Sequence, residues 1–428
     1  MIIALLGDSF DPHRNLVKNP AGQPPPKQAE CYACLVFPCR QRIEPAAQEL
    51  KRISVRKRIL IAALKYGLGF GLLSWVIWKN WAPAGGQGLQ AVVQRIFVDG
   101  EPIHYVPLIL AAGIYIAGVL LTFVRWYILV RAQELPFTLK SAMRLGLLGL
   151  FYSTFLPSSV GGDIPKAYFI ARGQSRRTVA VATVMIDRAV GLWGLCLLVA
   201  LLGTIFWAGG MLEANVAQTL QSIVIGSVVI CLASAAVWVL LGFLPEWRAQ
   251  RFASRLTKIP KVGQSAAEFW RAIWMYRRKE ASIIQALLLS LAGHVGFVLT
   301  YYFSALAVFS TDQIPSLSTH FLIVPIGMTI QAGFPAPGGV GGGEYAFGAL
   351  YKLVDYPEVN GVLGALVQRV ITWTVALGGF IAYLRMRPSL PQVRQEEENA
   401  VLEEADSCTS ASLEIRQTSE ESAPASKV

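Results

Sequence analysis

The sequence predicts an all-α polytopic membrane protein with about six full transmembrane helices and two re-entrant helical hairpins in an inverted repeat. Composition is the first reason: 54% of the 428 residues are hydrophobic and only 15% are charged, whereas soluble domains carry about a quarter charged residues. The second reason is a series of apolar stretches of about 20 residues, the length that spans a hydrocarbon core of about 30 Å. The third is a pair of shorter apolar stretches that run into glycine- and proline-rich sequence.

Six apolar stretches are predicted to cross the membrane completely. Hydropathy alone would count about eight spans, since residues 145–157 and 319–334 are apolar too. These two stretches are too short for a full crossing before the Gly/Pro-rich sequence begins, so each is predicted to enter the membrane and turn back. The six predicted crossings are residues 59–78, 106–124, 178–208, 219–244, 283–310 and 361–384.

The membrane domain is predicted at residues 51–388, between two tails. Residues 1–50 include GQPPPKQ and are expected to be an unfolded N-terminal tail. Residues 389–428 hold nine Asp or Glu against three Lys or Arg and are expected to be an acidic, disordered tail,. The three cysteines of residues 31–39 could be metal ligands, but no His or Cys cluster completes a four-ligand site, so we expect no metal.

The distribution of Lys and Arg predicts that both termini lie on the cytoplasmic side, because short cytoplasmic loops carry the excess of positive charge. Such cations precede the first span at residues 51–58 and follow the last at 385–387. The cations at 125–144 and at 166–177 also belong inside, yet a full crossing at 145–162 would put the second group outside. The chain is therefore predicted to re-enter on the same side, and the second hairpin to enter from the opposite face.

An internal repeat relates the two predicted hairpins. Asp163 follows the glycines of SSVGG, and Arg188 lies 25 residues later; Glu344 follows the glycines of GGVGGG, and Arg369 lies 25 residues later. The repeat units cover about residues 141–208 and 319–384, and each consists of a broken helix followed by a full helix. Repeats of opposite orientation are the arrangement in which transporters form a site near the middle of the membrane.

Both arginines are expected near the bilayer centre, about 15 Å along their helices. A charge at that depth is expensive and normally faces a partner or a wet cavity. Asp187 cannot satisfy Arg188, because adjacent helical residues diverge by about 100°, so Asp163 and Glu344 are the expected partners. Two simpler interpretations stay open: Asp163 could only cap a helix, and the arginines could be structural ion-pair members that never meet a substrate.

The glycine-rich breaks are interpreted as a binding site for an anion. Half-helices that restart after a break direct their N–H groups and positive dipole ends toward the middle of the membrane. Together with the two arginines, this predicts a cradle for a phosphate or another anionic head group. A nucleotide site is disfavoured because no Lys-Ser/Thr follows the glycines, and no cofactor is expected. The glycines of the predicted cradle are Gly161, Gly162, Gly338 and Gly339.

Four blocks carry a family resemblance: LPSSVGGDIPKAYFIARG, DRAVGLWGL, FPAPGGVGGGE and the pair Gln368-Arg369. In order and spacing they resemble the signature blocks of the flippase-like transmembrane family, which includes the membrane half of bacterial lysylphosphatidylglycerol synthases, over about residues 55–385. The resemblance implies a lipid-translocating or lipid-handling protein of the bacterial inner membrane. Carried over position by position, it implicates the polar residues Asp163, Asp187, Arg188, Glu344 and Arg369.

The sequence is therefore interpreted as a translocase that moves an anionic phospholipid or a lipid-linked anionic head group between leaflets, with Asp163 or Glu344 able to take up a coupling proton. No nucleic-acid partner is expected. After Arg387 only the acidic tail remains, so we expect no soluble aminoacyl-transfer domain. Two alternatives stay open: a membrane enzyme that modifies lipid, against which no nucleophile constellation is visible, and a scaffold that recruits a lipid-modifying partner through the basic residues 248–279.

Overall fold

The computed structural model describes most of the predicted membrane domain. The predicted N-terminal tail up to residue 39, with its three cysteines, and the predicted acidic tail lie outside the described residues. For residues 40–59 it describes the backbone alone. The described residues are 40–82, 88–100, 103–156, 161–172, 176–210, 217–243, 245–257, 263–277 and 279–386.

The described residues form thirteen α-helices, a short 3-10 turn at Pro337–Gly339 and no β-strand. The first helix begins at Arg40, within the segment that the sequence predicts as a tail; the other domain limits stay predictions. In chain order the helices are α1 Arg40–Lys79, α2 Leu89–Phe97, α3 Tyr105–Ala132, α4 Leu139–Phe155, α5 Asp163–Arg172, α6 Arg177–Ala208, α7 Ala217–Phe243, α8 Glu246–Leu256, α9 Gly263–Arg277, α10 Glu280–Leu306, α11 Leu317–Gly333, α12 Gly342–Leu353 and α13 Glu358–Arg385.

The chain divides into two compact units. Of the first, residues 1–63, the structure describes residues 40–63, which lie within α1; the second, residues 64–428, contains all the other helices. Among the described helices, six are long and apolar enough to cross a membrane, in agreement with the six predicted crossings. The protein is therefore an all-α polytopic membrane protein. The six spans are Leu60–Lys79, Tyr105–Ala132, Arg177–Ala208, Leu220–Leu241, Glu280–Leu306 and Glu358–Arg385.

Two pairs of short helices occupy the positions predicted for the hairpins. The first pair is α4 and α5, and the second is α11 and α12; α4 and α11 are each 17 residues long. Both begin at a hydroxyl cap, where Thr138 accepts a hydrogen bond from the Ser141 N–H and Ser316 accepts one from the Thr319 N–H,. The repeat therefore extends to helix length and capping. Re-entry from opposite faces stays a prediction.

The helices α3 and α10 pack closely along their length through small residues. A Cβ added at Gly118 would lie 2.9 Å from the ring of Phe297, and Gly296 lies against Gly118 and Ile114. Close approach through glycine is the usual way in which membrane helices gain packing contacts. This pair forms a frame against which both α6 and α13 also pack.

One sequence interpretation is wrong in detail. The second span continues to Ala132 rather than ending near residue 124, so Arg125 is not part of a cytoplasmic loop. Its side chain is only 7% exposed and lies inside the helix bundle. An arginine in that position needs a carboxylate partner, which the next section identifies.

Candidate functional site

The first predicted ion pair is formed. Asp163 is the first residue of α5, immediately after Gly161 and Gly162, and its Oδ2 accepts a hydrogen bond of 2.5 Å from Nε of Arg188 on α6. The Asp163 side chain is 11% exposed, whereas that of Arg188 is 44% exposed. The pair therefore joins the tip of the first hairpin to a guanidinium that keeps an accessible surface.

Asp187 forms a different pair, as the helical geometry requires. Its Oδ1 accepts a hydrogen bond of 2.8 Å from Nε of Arg125, and Nη1 of Arg125 donates to Oγ of Ser290 at 3.0 Å. Three helices, α3, α6 and α10, therefore meet at one buried ion pair. Breaking one partner of such a pair would leave an uncompensated charge.

Lys166 adds a third cation to this region. It lies one turn into α5, and its Nζ is 5.3 Å from the ring centre of Trp126 and 6.0 Å from that of Phe123. Cation–π contacts of this kind are attractive without neutralising the charge. Lys166 interacts electrostatically with both ion pairs of the first repeat.

These five side chains form one group, which we call the first-repeat cluster. When all five are ionised, three cations and two carboxylates leave one net positive charge. An excess charge among apolar helices is costly, and a bound anion would compensate it. The cluster consists of Arg125, Asp163, Lys166, Asp187 and Arg188.

The second predicted ion pair is also formed, but both of its side chains are buried. Nε of Arg369 on α13 donates to Oε1 of Glu344 on α12, and the two side chains are 6% and 0% exposed. The other carboxylate oxygen, Oε2, accepts a hydrogen bond of 2.8 Å from the N–H of Gly341 at the start of α12. Glu344 therefore both pairs with the arginine and caps its own helix.

The glycines of the second break present carbonyls to the arginine. Nη1 of Arg369 donates to the Gly338 carbonyl at 3.0 Å, and Nη2 donates to that of Gly339 at 3.4 Å. Both glycines have positive φ, 54° and 68°, so they adopt the left-handed conformation that side chains disfavour. Three nitrogens of Arg369 are thus engaged by its own hairpin.

The second glycine-rich break lies against the end of the first half-helix. A Cβ added at Gly338 would lie 3.0 Å from the carbonyl of Thr154, in the last turn of α4. On another side of the second break, a Cβ at Gly341 would lie 2.5 Å from the carbonyl of Gly69 on α1. The end of the first half-helix therefore contacts the second break, which is the arrangement expected where two repeats meet.

The second hairpin is embedded in the apolar core more fully than the first. Phe321 and Leu322 of α11 and Phe347 and Tyr351 of α12 belong to the largest buried cluster. The hydroxyl of Tyr351 is 2.7 Å from Nε2 of His320, which joins the two half-helices. On the first hairpin Leu145 and Ile170 are core members of a smaller cluster.

The two ion pairs predicted from the sequence are formed, but three of their polar neighbours were not predicted. Arg125, Lys166 and Ser290 were not predicted as site residues, although Arg125 and Lys166 were visible as cations near apolar sequence. The sequence did carry a signal for Arg125: the residues that follow it, in RWYILVRA, are mostly apolar as far as Arg131. This pattern indicates that the helix continues past residue 124. Ser290 carried no signal, since serine is common in membrane helices.

Metal binding finds no support in the described part of the chain, where no three His, Cys, Asp or Glu side chains are grouped to hold an ion. His294 is 7% exposed on α10, and its Nε2 lies 2.9 Å from the Gly191 carbonyl. It therefore contributes to the packing of α10 on α6 beside the first-repeat cluster.

Comparison with known proteins gives one match. A family model described as the lysylphosphatidylglycerol synthase TM region matches residues 55–379. The matched stretch includes both hairpins, the whole of α6, α13 as far as residue 379 and every residue of the two predicted ion pairs. Neither the comparison with curated proteins nor the comparison with solved structures found a match.

Proposed function

Because the chain belongs to the family of the lysylphosphatidylglycerol synthase TM region, we propose that it moves an anionic lipid, or a lipid-linked anionic head group, between the leaflets of a bacterial inner membrane. Membership in this family places the protein in the membrane and makes a lipid-related role plausible. The observation that carries the proposal further is the first-repeat cluster, in which three basic side chains lie with two carboxylates and the side chain of Arg188 is 44% exposed.

The charge of the cluster selects the sign of the ligand. A phosphate group has oxygens that accept hydrogen bonds from a guanidinium in the same way as a carboxylate does. It can therefore replace or share the carboxylate of Asp163 at Arg188, which is 44% exposed. In this proposal the head group enters at Arg188 while the acyl chains remain in the bilayer.

The carboxylate of Asp163 gives the arginine a resting partner. Without a ligand, the pair avoids an isolated charge in the apolar region. When an anionic head group arrives, Asp163 must move away or accept a proton, since two anions at one guanidinium repel each other. Proton uptake by Asp163 would couple head-group binding to a proton gradient, with the tip of the first hairpin as the moving part.

The second hairpin has a supporting role in this proposal. Glu344 and Arg369 hold the glycine-rich break against α4 through contacts that leave both side chains almost inaccessible. Packed elements of this kind change conformation less readily than exposed ones. The second break would then form the fixed wall along which the head group passes, while the first hairpin opens and closes.

A vesicle assay tests the proposal directly. Purified full-length protein should accelerate the exchange of a fluorescent anionic phospholipid between leaflets, measured by chemical quenching of the outer leaflet, with and without an imposed pH gradient or membrane potential. Asp163→Asn should insert normally and lose the acceleration, because it keeps the size of the side chain and removes its charge. A zwitterionic lipid should move more slowly than the anionic one.

The matched control is Glu358→Gln. Glu358 also forms an ion pair, with Lys79 at 2.7 Å, but outside the first-repeat cluster. This variant should transport as the parent does. The proposal fails if no lipid moves faster than in empty vesicles under any gradient, or if Asp163→Asn transports as well as the parent.

The same preparation distinguishes the two alternative functions. An enzyme would change the chemical identity of the lipid, which mass spectrometry of the extracted lipids would detect. A scaffold would leave both identity and sidedness unchanged, and substitution at Asp163 would then spare partner binding. A transporter alters only sidedness.

A further inference from the structure

The short helices α8 and α9 connect two membrane spans and carry a basic and aromatic groove. They lie between the end of α7 at Phe243 and the start of α10 at Glu280, so they are held at a membrane surface on the side where both spans end. The groove has a volume of about 370 Å³. It is lined by Trp247, Arg248, Arg251, Phe252, Arg255 and Trp270.

Helical spacing puts the three arginines of the groove in one row. Arg248, Arg251 and Arg255 are three and four residues apart, so their side chains project from the same side of α8. All three are exposed. The small residues Ala249 and Ala253 lie on a different side and are buried. The helix therefore packs through its alanines and leaves its arginines free to meet a ligand.

Two of the three arginines lie close to one aromatic ring. The guanidinium carbons of Arg248 and Arg251 lie 4.9 and 4.7 Å from the centre of the same Trp247 ring. No carboxylate among the described residues forms an ion pair with any of the three. Like charges this close on a helix repel each other, and an anion between them would remove that cost.

Aromatic side chains flank the row and are themselves partly exposed. Trp247 is 50% exposed on one side and Phe252 is 45% exposed on the other. Phe252 packs edge-on against Trp270 at 4.7 Å, and the indole N–H of Trp270 donates to the Ala249 carbonyl at 3.1 Å. These contacts fix the groove, while the exposed rings suit the boundary between head groups and acyl chains.

We propose that this groove is a binding site for the phosphate head group of an anionic phospholipid in the adjacent leaflet. The arginines supply the charge, and the exposed rings of Trp247 and Phe252 enter the acyl-chain boundary beneath it. Exposed aromatic rings on both sides of a basic row fit a lipid better than a soluble anion. The site is separate from the first-repeat cluster and does not depend on lipid translocation.

The test uses the fluorescence of Trp247 in the full-length protein. The protein is placed in phosphatidylcholine vesicles that contain a minor fraction of brominated phosphatidylglycerol or, in a parallel sample, of brominated phosphatidylcholine. The difference between the parent and Trp247→Phe isolates the quenching at this residue. We expect phosphatidylglycerol to be preferred about tenfold at low salt and less at high salt.

A matched pair of variants decides whether the groove or the overall charge is responsible. The triple variant Arg248→Gln, Arg251→Gln and Arg255→Gln should lose the preference. The control removes three exposed cations elsewhere on the same predicted face, Arg131, Lys140 and Arg271, each by substitution to Gln, and should keep it. Equal quenching by both brominated lipids in the parent, or equal loss in both triple variants, would overturn the proposal.

Discussion

The two hairpins share a framework and differ in what they enclose. In each, a 17-residue helix leads to a glycine-rich break, and a carboxylate at the next half-helix pairs with an arginine 25 residues later. In the first repeat the arginine is 44% exposed, whereas in the second it is 6% exposed and its carboxylate is inaccessible. The same kind of pair can therefore form an accessible site in the first repeat and a buried structural ion pair in the second.

The sequence offset between the repeats shows where the difference originates. The 181 positions that separate Asp163 from Glu344 relate Lys166 to Phe347 and Asp187 to Gln368. Phe347 is buried and stacks on Tyr301 at 4.3 Å, where the first repeat has a lysine ammonium. Two ionisable residues of the first repeat thus correspond to an apolar and a neutral residue in the second. The first repeat therefore has more ionisable residues at these matched positions than the second.

The largest effect is expected in a test of the orientation of the two repeats in the membrane, because the result is all-or-none. Single cysteines near Arg176 and near Glu358, in a background with the native cysteines replaced, should react with impermeant reagents from opposite sides of the membrane. Arg176 immediately precedes α6, and Glu358 is the first residue of α13, so both positions mark the start of the full helix of their repeat. If both react from the same side, the repeats are not inverted and the two hairpins are not comparable.

The next largest effect is expected on stability in the second repeat. Glu344→Gln or Arg369→Gln leaves a buried charge without a partner, which costs about 3–5 kcal/mol. The double variant should lose less than the sum of the two single losses. The other five cysteines are replaced, so that a thiol-reactive dye reports exposure of the buried Cys231 on heating in detergent. The unfolding midpoint should then be strongly lowered for each single variant.

The control for that cycle is the Lys79–Glu358 pair, whose lysine side chain is 42% exposed. Surface pairs contribute about 0–1 kcal/mol, so Glu358→Gln should barely change the midpoint. A similar midpoint for Glu344→Gln and Glu358→Gln would show that the Glu344–Arg369 pair does not stabilise the fold more than a surface pair does.

A smaller loss of stability is expected for the same cycle in the first repeat. Because Arg188 keeps an accessible surface, Asp163→Asn or Arg188→Gln should cost about 1–2 kcal/mol, less than the buried limit. Thermal midpoints measured with the same dye should therefore fall less than those of the second repeat. If Asp163→Asn loses as much stability as Glu344→Gln or more, the first pair is as important to the fold as the second, and the proposed difference between the repeats is wrong.

The smallest effect in this series concerns selectivity. Lys166→Gln removes the excess positive charge of the first-repeat cluster and keeps a polar side chain over the Trp126 ring. The ratio of anionic to zwitterionic lipid exchange should fall severalfold, with little change in the unfolding midpoint. Lys140→Gln, an exposed cation outside the cluster, should leave the ratio unchanged. An unaltered ratio for Lys166→Gln would argue that the lysine is purely structural.

Much of the fold follows from the sequence because the bilayer fixes the length of a span. The six crossings, the short half-helices and the pairing of each arginine with its own carboxylate were all predicted from length, glycine content and spacing. The burial of Arg125 was not predicted, because every cation near the end of a span was assigned to a loop. That assignment does not consider an arginine that pairs with a carboxylate on another helix. The unequal burial of the two pairs was also not predictable, because it depends on packing by α1 and α10, which lie outside the two repeat units.

Arg125 also has a consequence for the order of synthesis. Its carboxylate partner, Asp187, lies 62 residues later in the chain, so α3 leaves the ribosome before that partner exists. At about 5–20 residues per second, the delay lasts about 3–12 s, and an unpaired arginine at the centre of a helix costs about 2.5–3.5 kcal/mol to insert. Pairing with Asp187 on α6 would remove this cost, so we expect the insertion of α3 to become more favourable once α6 has emerged.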